Sequence, residues 1–287
     1  MNRAETIIIL NEFDILPRRS LGQNFLVDES KAALIAELAR GTGPVLEIGP
    51  GIGALTEKLL ERHPVTAIEI DQRLWPVLEQ RLGGQDDFRL IRGDVLETDL
   101  RELFDSEREI TVCANIPYQI TTELFIKILT EMPACSAIIL MVQKEAAERF
   151  LSGPGTSGYG PAPILASWYG NSRIAANLGR HAFHPKPKVT SSVLVMERDP
   201  DKNIDLLTEH AAKVPAFLKN AFANRRKTLR NNLKRFAPRA ESHWQTFAAR
   251  EGLPADARPE ALTPDQWYRL LTDLTSLRQV DKRVVKV

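Results

Sequence analysis

Cysteine is scarce in this 287-residue sequence, where only Cys113 and Cys135 occur. They form no CxxC pair and have no histidine at ligand spacing, which argues against a disulfide framework or a structural zinc site and points to a reducing cytoplasm. Long hydrophobic runs are missing too. The longest early one, Ile7 to Leu10, is too short for a signal-peptide core, and Glu5, Glu12 and Asp14 do not suit a transit peptide, so no membrane or export role is expected. Internal repeats, low-complexity tracts, a phosphate-loop GK[ST] and a GxSxG nucleophile elbow are all absent. His181 and His184 form a superficial HxxH, but no carboxylate follows at ligand spacing, so no metal is expected.

An excess of one charge is also lacking: the formal net charge is +1, so bulk composition does not announce a nucleic-acid binder. Distribution says more. Phe217 to Arg239 holds eight Lys or Arg residues and no Asp or Glu, the footprint of either a solvated helix face or a phosphate-binding one.

Between residues 44 and 143 short apolar runs alternate with helical patterns: Pro44 to Ile48, Val65 to Ile70, Phe88 to Ile91, Ile110 to Ala114 and Ser136 to Val142. That alternation predicts βαβ units in a parallel sheet, with a first helix over Ala54 to His63 and a second following Asp71 as its N-cap. Arg173 to Leu178 and Ser192 to Glu197, joined by a turn-rich connection, complete the sheet as an antiparallel edge. From about residue 203 only helical periodicity remains, giving two domains, 1–202 and 203–287. The Gly- and Pro-rich stretch Ser152 to Pro161 reads as a mobile surface loop.

Glu47-Ile-Gly49-Pro-Gly51-Ile-Gly53 lies directly between the first strand and first helix, where glycines let the backbone turn tightly against a ligand. A nucleoside cofactor fits there, although the loop alone does not separate a dinucleotide from S-adenosylmethionine. Glu69 and Asp71 end the second strand; Glu69 is the better candidate for the ribose hydroxyls and Asp71 for a helix cap. Asp94, after the third strand, is placed to accept from an adenine amino group.

Asn115-Ile116-Pro117-Tyr118 follows the fourth strand. An adenine N6 lone pair is delocalised into its ring and attacks a methyl sulfonium poorly unless acceptors hold and rotate the amine. The Asn115 Oδ1 and the Ile116 carbonyl can supply those acceptors, Pro117 stiffens the turn, and Tyr118 offers a face on which a flipped base stacks. Phe183 is either a second clamp on that base or a packing anchor.

These residues resemble the KsgA family of ribosomal RNA adenine dimethyltransferases from about Arg18 to Leu274. Six blocks carry the resemblance: Leu21-Gly-Gln-Asn24-Phe-Leu26, the EIGPGIGALT loop from Glu47, Asn115 to Tyr118, Met141 to Glu145, Phe183-His-Pro-Lys-Pro-Lys188-Val, and Arg225-Arg-Lys-Thr-Leu-Arg230-Asn. The last block distinguishes this family from its erythromycin-resistance relatives, which methylate large-subunit RNA. The resemblance implies a Rossmann-like class I methyltransferase fold, a mostly parallel seven-stranded α/β sheet with an antiparallel edge strand, followed by a small all-helical domain. It implies that Asn24 and Leu26 close over the methionine end of S-adenosylmethionine, and that Gly49, Gly51 and Gly53 back it. Glu69, Ile70, Asp94, Val95 and Asn115 then line the adenosine and the reacting site. The basic segment is expected to contact RNA through Arg225, Arg226, Lys227, Arg230 and Lys234: on a helix beginning near Pro215, Arg226, Arg230 and Lys234 fall at i, i+4 and i+8 and share one face. The resemblance also implies two adjacent adenines near the 3′ end of small-subunit RNA as targets, each methylated twice.

The expected partner is small-subunit ribosomal RNA in an immature 30S particle, met by a cytoplasmic monomer. One departure stands out: where the family commonly has Ser-Lys before Tyr-Gly, this chain has Ser157-Gly158. Three rival readings remain: a large-subunit RNA methyltransferase, a nicotinamide-dependent oxidoreductase, which leaves Asn115 to Tyr118 without a reason, and a non-enzymatic ribosome-assembly factor.

Overall fold

The computed structural model describes residues 1–18, 21–104, 109–116, 120–133, 135–202, 204–210 and 213–276. The chain divides into two compact units. One comprises Met1–Ile128, Ala134–Ala147 and Ser172–Arg198; the other comprises Leu129–Pro133, Glu148–Asn171 and the chain from Asp199 onward.

The first unit opens with α1 (Arg3–Glu12), β1 (Phe25–Leu26) and α2 (Glu29–Leu38). The alternation anticipated in the sequence follows as β2 (Val45–Ile48), α3 (Ala54–Leu60), β3 (Val65–Glu69), α4 (Trp75–Leu82), β4 (Phe88–Arg92), β5 (Thr111–Asn115), α5 (Thr121–Glu131), β6 (Ala137–Gln143) and α6 (Lys144–Phe150). After α7 (Pro161–Tyr169) come β7 (Gly170–Leu178), β8 (Phe183–His184) and β9 (Ser191–Arg198). Seven strands form one sheet in the order β4-β3-β2-β5-β6-β9-β7, and β1 pairs antiparallel with β8 in a separate two-stranded sheet. The pairs from β4 through β6 are parallel, and β9 runs antiparallel to β6.

Burial explains the residue choice. Every residue of β2 and β3 is buried, as expected where a parallel sheet is covered on both faces. The outermost strands β4 and β7 mix exposed with half-buried positions, and only the two ends of β7 are buried. Burying each large aliphatic side chain of the central strands contributes about 1.5–3 kcal/mol.

Two helix boundaries differ from expectation. The α3 helix ends at Leu60 rather than His63. The α4 helix starts at Trp75, because the Asp71 carboxylate accepts from Arg73 N (3.2 Å) and the Asp71 carbonyl from Leu74 N (2.9 Å), closing a turn ahead of the helix. Asp71 thus caps a turn, not the helix.

The second unit gathers α7 with α8 (Asp205–Glu209), α9 (Lys213–Ala221), α10 (Leu229–Phe236), α11 (Pro238–Arg250) and α12 (Pro264–Ser276). Its core is aromatic: Phe217 meets Phe236 edge-on at 5.3 Å, Tyr159 meets Phe222 at 6.1 Å, and Trp168 meets Tyr268 at 5.4 Å. The sequence placed residues 148–171 in the N-terminal domain; the structure groups them with the C-terminal helices. The Ser152–Pro161 stretch is also better anchored than its composition suggested. Gly155 N donates to Glu260 O (2.7 Å), the Tyr159 hydroxyl donates to Leu262 O (2.8 Å), and Tyr159 is 1% exposed.

Candidate functional site

Four neighbouring strands bring the sequence-predicted residues to one edge of the sheet. Gly49 follows β2, Glu69 ends β3, Asp94 follows β4 and Asn115 ends β5. All four strands are parallel, so these are their carboxyl ends. In an open α/β sheet the crevice outside the carboxyl ends of the strands is where ligands bind.

The glycine turn is shaped by backbone geometry. Gly49, Gly51 and Gly53 have φ of +70°, +65° and +88°, a region that residues with a Cβ rarely adopt. A Cβ on Gly49 would stand 3.3 Å from the Asn115 carbonyl oxygen, and one on Gly51 would stand 3.0 Å from the Phe25 ring. The turn is thus closed against both β5 and β1, and the third glycine caps the N-terminus of α3.

Glu69 is 4% exposed and accepts two backbone N–H groups, Asp71 N at 2.8 Å and Gly51 N at 3.1 Å. Burial pushes its carboxyl up to about 7, against the pull of those two donors. Each carboxylate oxygen keeps a further lone pair for a ligand hydroxyl. Ile70, next to it, is 48% exposed and presents an apolar shelf of the kind a base rests on. Asp94 is half-buried, with Oδ1 accepting from Leu96 N at 2.9 Å, while Val95 is buried.

Sequence reasoning assigned no site role to Glu47, which is 2% exposed with Oε2 unpartnered; burial raises its carboxyl to about 8. An orphaned buried acceptor beside a positive-φ glycine turn, a row of acids and an exposed apolar shelf fit a cofactor carrying an adenosine and a cationic end.

Asn115 is half-buried, and its Nδ2 donates to the Asn24 carbonyl at 3.3 Å, so Oδ1 is the end of the amide opposite that bond. Ile116 is 8% exposed. Pro117 and Tyr118 lie outside the described residues. Leu26 and Phe183 are register partners across the β1–β8 pair, and both are buried in the main core with Phe25. Phe183 is 2% exposed, so its ring is packed here as an anchor and presents no open face to a base. Gln23, in the same sequence block as Asn24, had no role assigned. Its amide donates to Asp71 Oδ2 at 2.7 Å.

The basic segment is arranged differently from the sequence expectation. A single helix beginning near Pro215 would put Arg226, Arg230 and Lys234, at i, i+4 and i+8, on one face. Instead α9 ends at Ala221, and α10 begins at Leu229 with Thr228 as its N-cap. The break is held by Asn232, which is 2% exposed and donates to Ala221 O (2.8 Å) and Asn224 O (3.2 Å), satisfying carbonyls that a continuous helix would have used. Arg226 and Lys227 therefore sit in a turn.

Arg225 donates to Tyr159 O (2.7 Å) and Thr156 O (3.1 Å), and Arg230 pairs with Glu241 at 2.7 Å. Among the described residues Arg226, Lys227 and Lys234 are exposed and have no carboxylate partner. At Gly158, where the family commonly carries Lys, a Cβ would come within 2.2 Å of Ser152 Oγ, so a side chain there requires Ser152 to move.

Among the described residues no group of three or more His, Cys, Asp or Glu could hold a metal ion, and no helix is long and apolar enough to cross a membrane.

Comparison with known proteins places this arrangement. The pattern of the family described as "Ribosomal RNA adenine dimethylase" matches residues 16–276. The "Ribosomal RNA small subunit methyltransferase A" of Levilactobacillus brevis is 35% identical over 270 residues, covering 91% of this chain and 90% of that protein. Among solved structures, a dimethyladenosine transferase from Plasmodium falciparum superposes with a TM-score of 0.69 at 26% identity, over 88% of this chain and 98% of that one. The 23S rRNA methyltransferase ErmE superposes with a TM-score of 0.61 at 26% identity, over 88% of this chain and 100% of that one. With the glycine turn, the acids and Asn115 gathered at one sheet edge and a family pattern running through both units, the chain belongs to the ribosomal RNA adenine dimethylase family.

Proposed function

We propose that this chain uses S-adenosylmethionine to dimethylate the N6 atoms of two adjacent adenosines near the 3′ end of small-subunit ribosomal RNA, acting as a cytoplasmic monomer on an immature 30S particle. The observation that carries the reading is the position of Asn115 and Ile116 at the end of β5, beside the glycine turn. Bound there, S-adenosylmethionine supplies an electrophilic methyl group.

The residues do the rest. Glu69 holds the ribose hydroxyls, Gly49 and Gly51 admit the methionine portion, and Asp94 takes the adenine amino group. Asn115 Oδ1 and the Ile116 carbonyl accept the hydrogens of the target amine, turning its lone pair out of the ring plane and toward the methyl carbon. Held there, the cofactor would supply the methyl group for a new N–C bond at the expense of its S–CH3 bond, and the proton lost by the amine would pass to solvent water. After the first transfer only one N6 hydrogen remains, so the second round uses one acceptor and needs room for a methyl at the other.

Small-subunit RNA is preferred to large-subunit RNA on the name of the Levilactobacillus relative, a small-subunit methyltransferase. The test is methyl transfer from labelled cofactor to isolated small and large subunits, with the modified nucleotide mapped. Label on adjacent adenines of the small subunit alone is the expected result; label confined to the large subunit overturns the assignment of substrate.

A further inference from the structure

The geometry points to a latch, Arg73–Asp71–Gln23, that fixes which end of the Asn115 carboxamide faces the target amine. The inference rests on the proposed role of Asn115 and extends it to residues that the proposed chemistry does not use.

An asparagine side chain is nearly symmetric in shape but opposite in chemistry at its two ends, an acceptor oxygen and a donor NH2. Only the oxygen can hold an amine hydrogen, so a flipped amide would place a donor against a donor. What decides the flip is the neighbour on the other side. The Asn24 carbonyl can only accept, and it takes the Asn115 Nδ2 at 3.3 Å. The catalytic orientation of Asn115 is therefore set by the position of one backbone carbonyl in the N-terminal segment.

That carbonyl is held from both sides in the chain. Beyond it, Phe25 and Leu26 are registered against His184 and Phe183. Before it, Gln23 bridges two partners: its Oε1 accepts from Arg18 N at 2.7 Å and its Nε2 donates to Asp71 Oδ2 at 2.7 Å. Asp71 is 2% exposed and is gripped by Arg73, whose Nε and Nη2 reach Oδ1 and Oδ2 at 3.0 and 2.5 Å. Burial alone would raise the Asp71 carboxyl, but the Arg73 and Gln23 hydrogen bonds outweigh it and leave the carboxyl below its usual value. The remaining Arg73 nitrogen, Nη1, donates to Leu16 O at 3.0 Å, binding the same N-terminal segment at a second point. Asp71 N also donates to Glu69, so the latch is continuous with the acid assigned to the ribose.

The latch acts through Asn115, so its residues are positioning residues, and two measurements separate that role from a merely structural one. The first is a double-mutant cycle on single-turnover methyl transfer at saturating cofactor and RNA. Gln23→Ala is expected to lower the rate at least ~10-fold in the wild-type background, with cofactor Kd by calorimetry changed less than ~3-fold. In an Asn115→Asp background, where oxygen occupies both ends and no flip exists to be set, the same substitution is expected to cost less than ~2-fold. Asp71→Asn, which keeps side-chain size, should follow Gln23→Ala in both backgrounds. An equal cost in the two backgrounds, or none in wild type, overturns the latch.

The second measurement needs no activity. The Asn115 side-chain amide protons, identified by their loss in Asn115→Ala, should show exchange protection that Gln23→Ala removes; unchanged protection also overturns the latch. If Asn115→Ala itself methylates normally, the proposed catalytic site is wrong, and the amide protons still report on the latch.

Discussion

The carboxyl edge of the sheet and the turn between α9 and α10 handle charge in opposite ways. At the sheet edge Glu47 and Glu69 are buried and their carboxyls lie well above the usual range; at the turn Arg226 and Lys227 are exposed. Buried acids in low dielectric form strong, directional bonds to a few ligand atoms. Exposed cations attract any phosphate nearby and are screened by salt. Under the proposed function, recognition of cofactor and base would fall to the first region and general RNA affinity to the second.

The largest effect that would break this division concerns Asn115. Asn115→Ala is expected to reduce methyl transfer on the order of 10²-fold or more, with at most a modest loss of cofactor affinity, because its acceptor acts mainly in the transition state. Single-turnover rates beside calorimetric Kd values check this.

Next in size is Glu69. Glu69→Gln should weaken cofactor binding by roughly 1.5–3 kcal/mol, the range for a hydrogen bond to a charged group, while turnover at saturation changes less. Donating ribose hydroxyls favour the ionised carboxylate, so wild-type affinity should climb as pH rises toward about 7 and level off above it. Glu69→Gln should remove that dependence.

Stability runs in the opposite direction. Both acids keep their protons longer in the folded chain than in the unfolded one. Their stabilising contribution is therefore fully present below the ordinary value of 4.5 and is lost as pH rises through about 7 for Glu69 and about 8 for Glu47. Denaturant melts of the cofactor-free protein across that window should show the fall, and Glu47→Gln should flatten it.

A smaller effect sharpens the other side of the comparison. Replacing Arg226, Lys227 and Lys234 together by Ala should lower the slope of log affinity against log salt by about 2–3, close to one for each phosphate that is no longer neutralised. Cofactor binding should not move. Smallest of all, Arg225→Ala should leave that slope nearly unchanged and instead cost on the order of 1 kcal/mol of stability, since its guanidinium binds the carbonyls of Tyr159 and Thr156. A drop of a full unit in slope for Arg225→Ala would return that residue to the RNA surface.

The sheet and its edge residues were readable in the sequence because local patterns specify them. Continuous apolar runs such as Val65 to Ile70 announce buried parallel strands, and a glycine-rich stretch between strand and helix has few other uses. The break after Ala221 was not readable. Nothing near Asn232 in sequence shows that its amide reaches back to Ala221 and Asn224, and the helical spacing of the basic residues pointed the other way. Gln23 escaped for a similar reason, since its partner Asp71 is 48 residues distant in the chain. Side chains whose work is to hold remote backbone are visible only in the fold.

The division of labour between the two regions is tested most directly by the single-turnover methyl-transfer rate at saturating RNA and cofactor, compared between Asn115→Ala and the Arg226, Lys227, Lys234 triple-alanine variant. The account predicts a rate for the triple variant within about 3-fold of wild type, because saturation restores what weakened phosphate binding removes, and a rate for Asn115→Ala lower on the order of 10²-fold or more. A triple variant as slow at saturation as Asn115→Ala would contradict it, placing the basic turn in the chemistry itself.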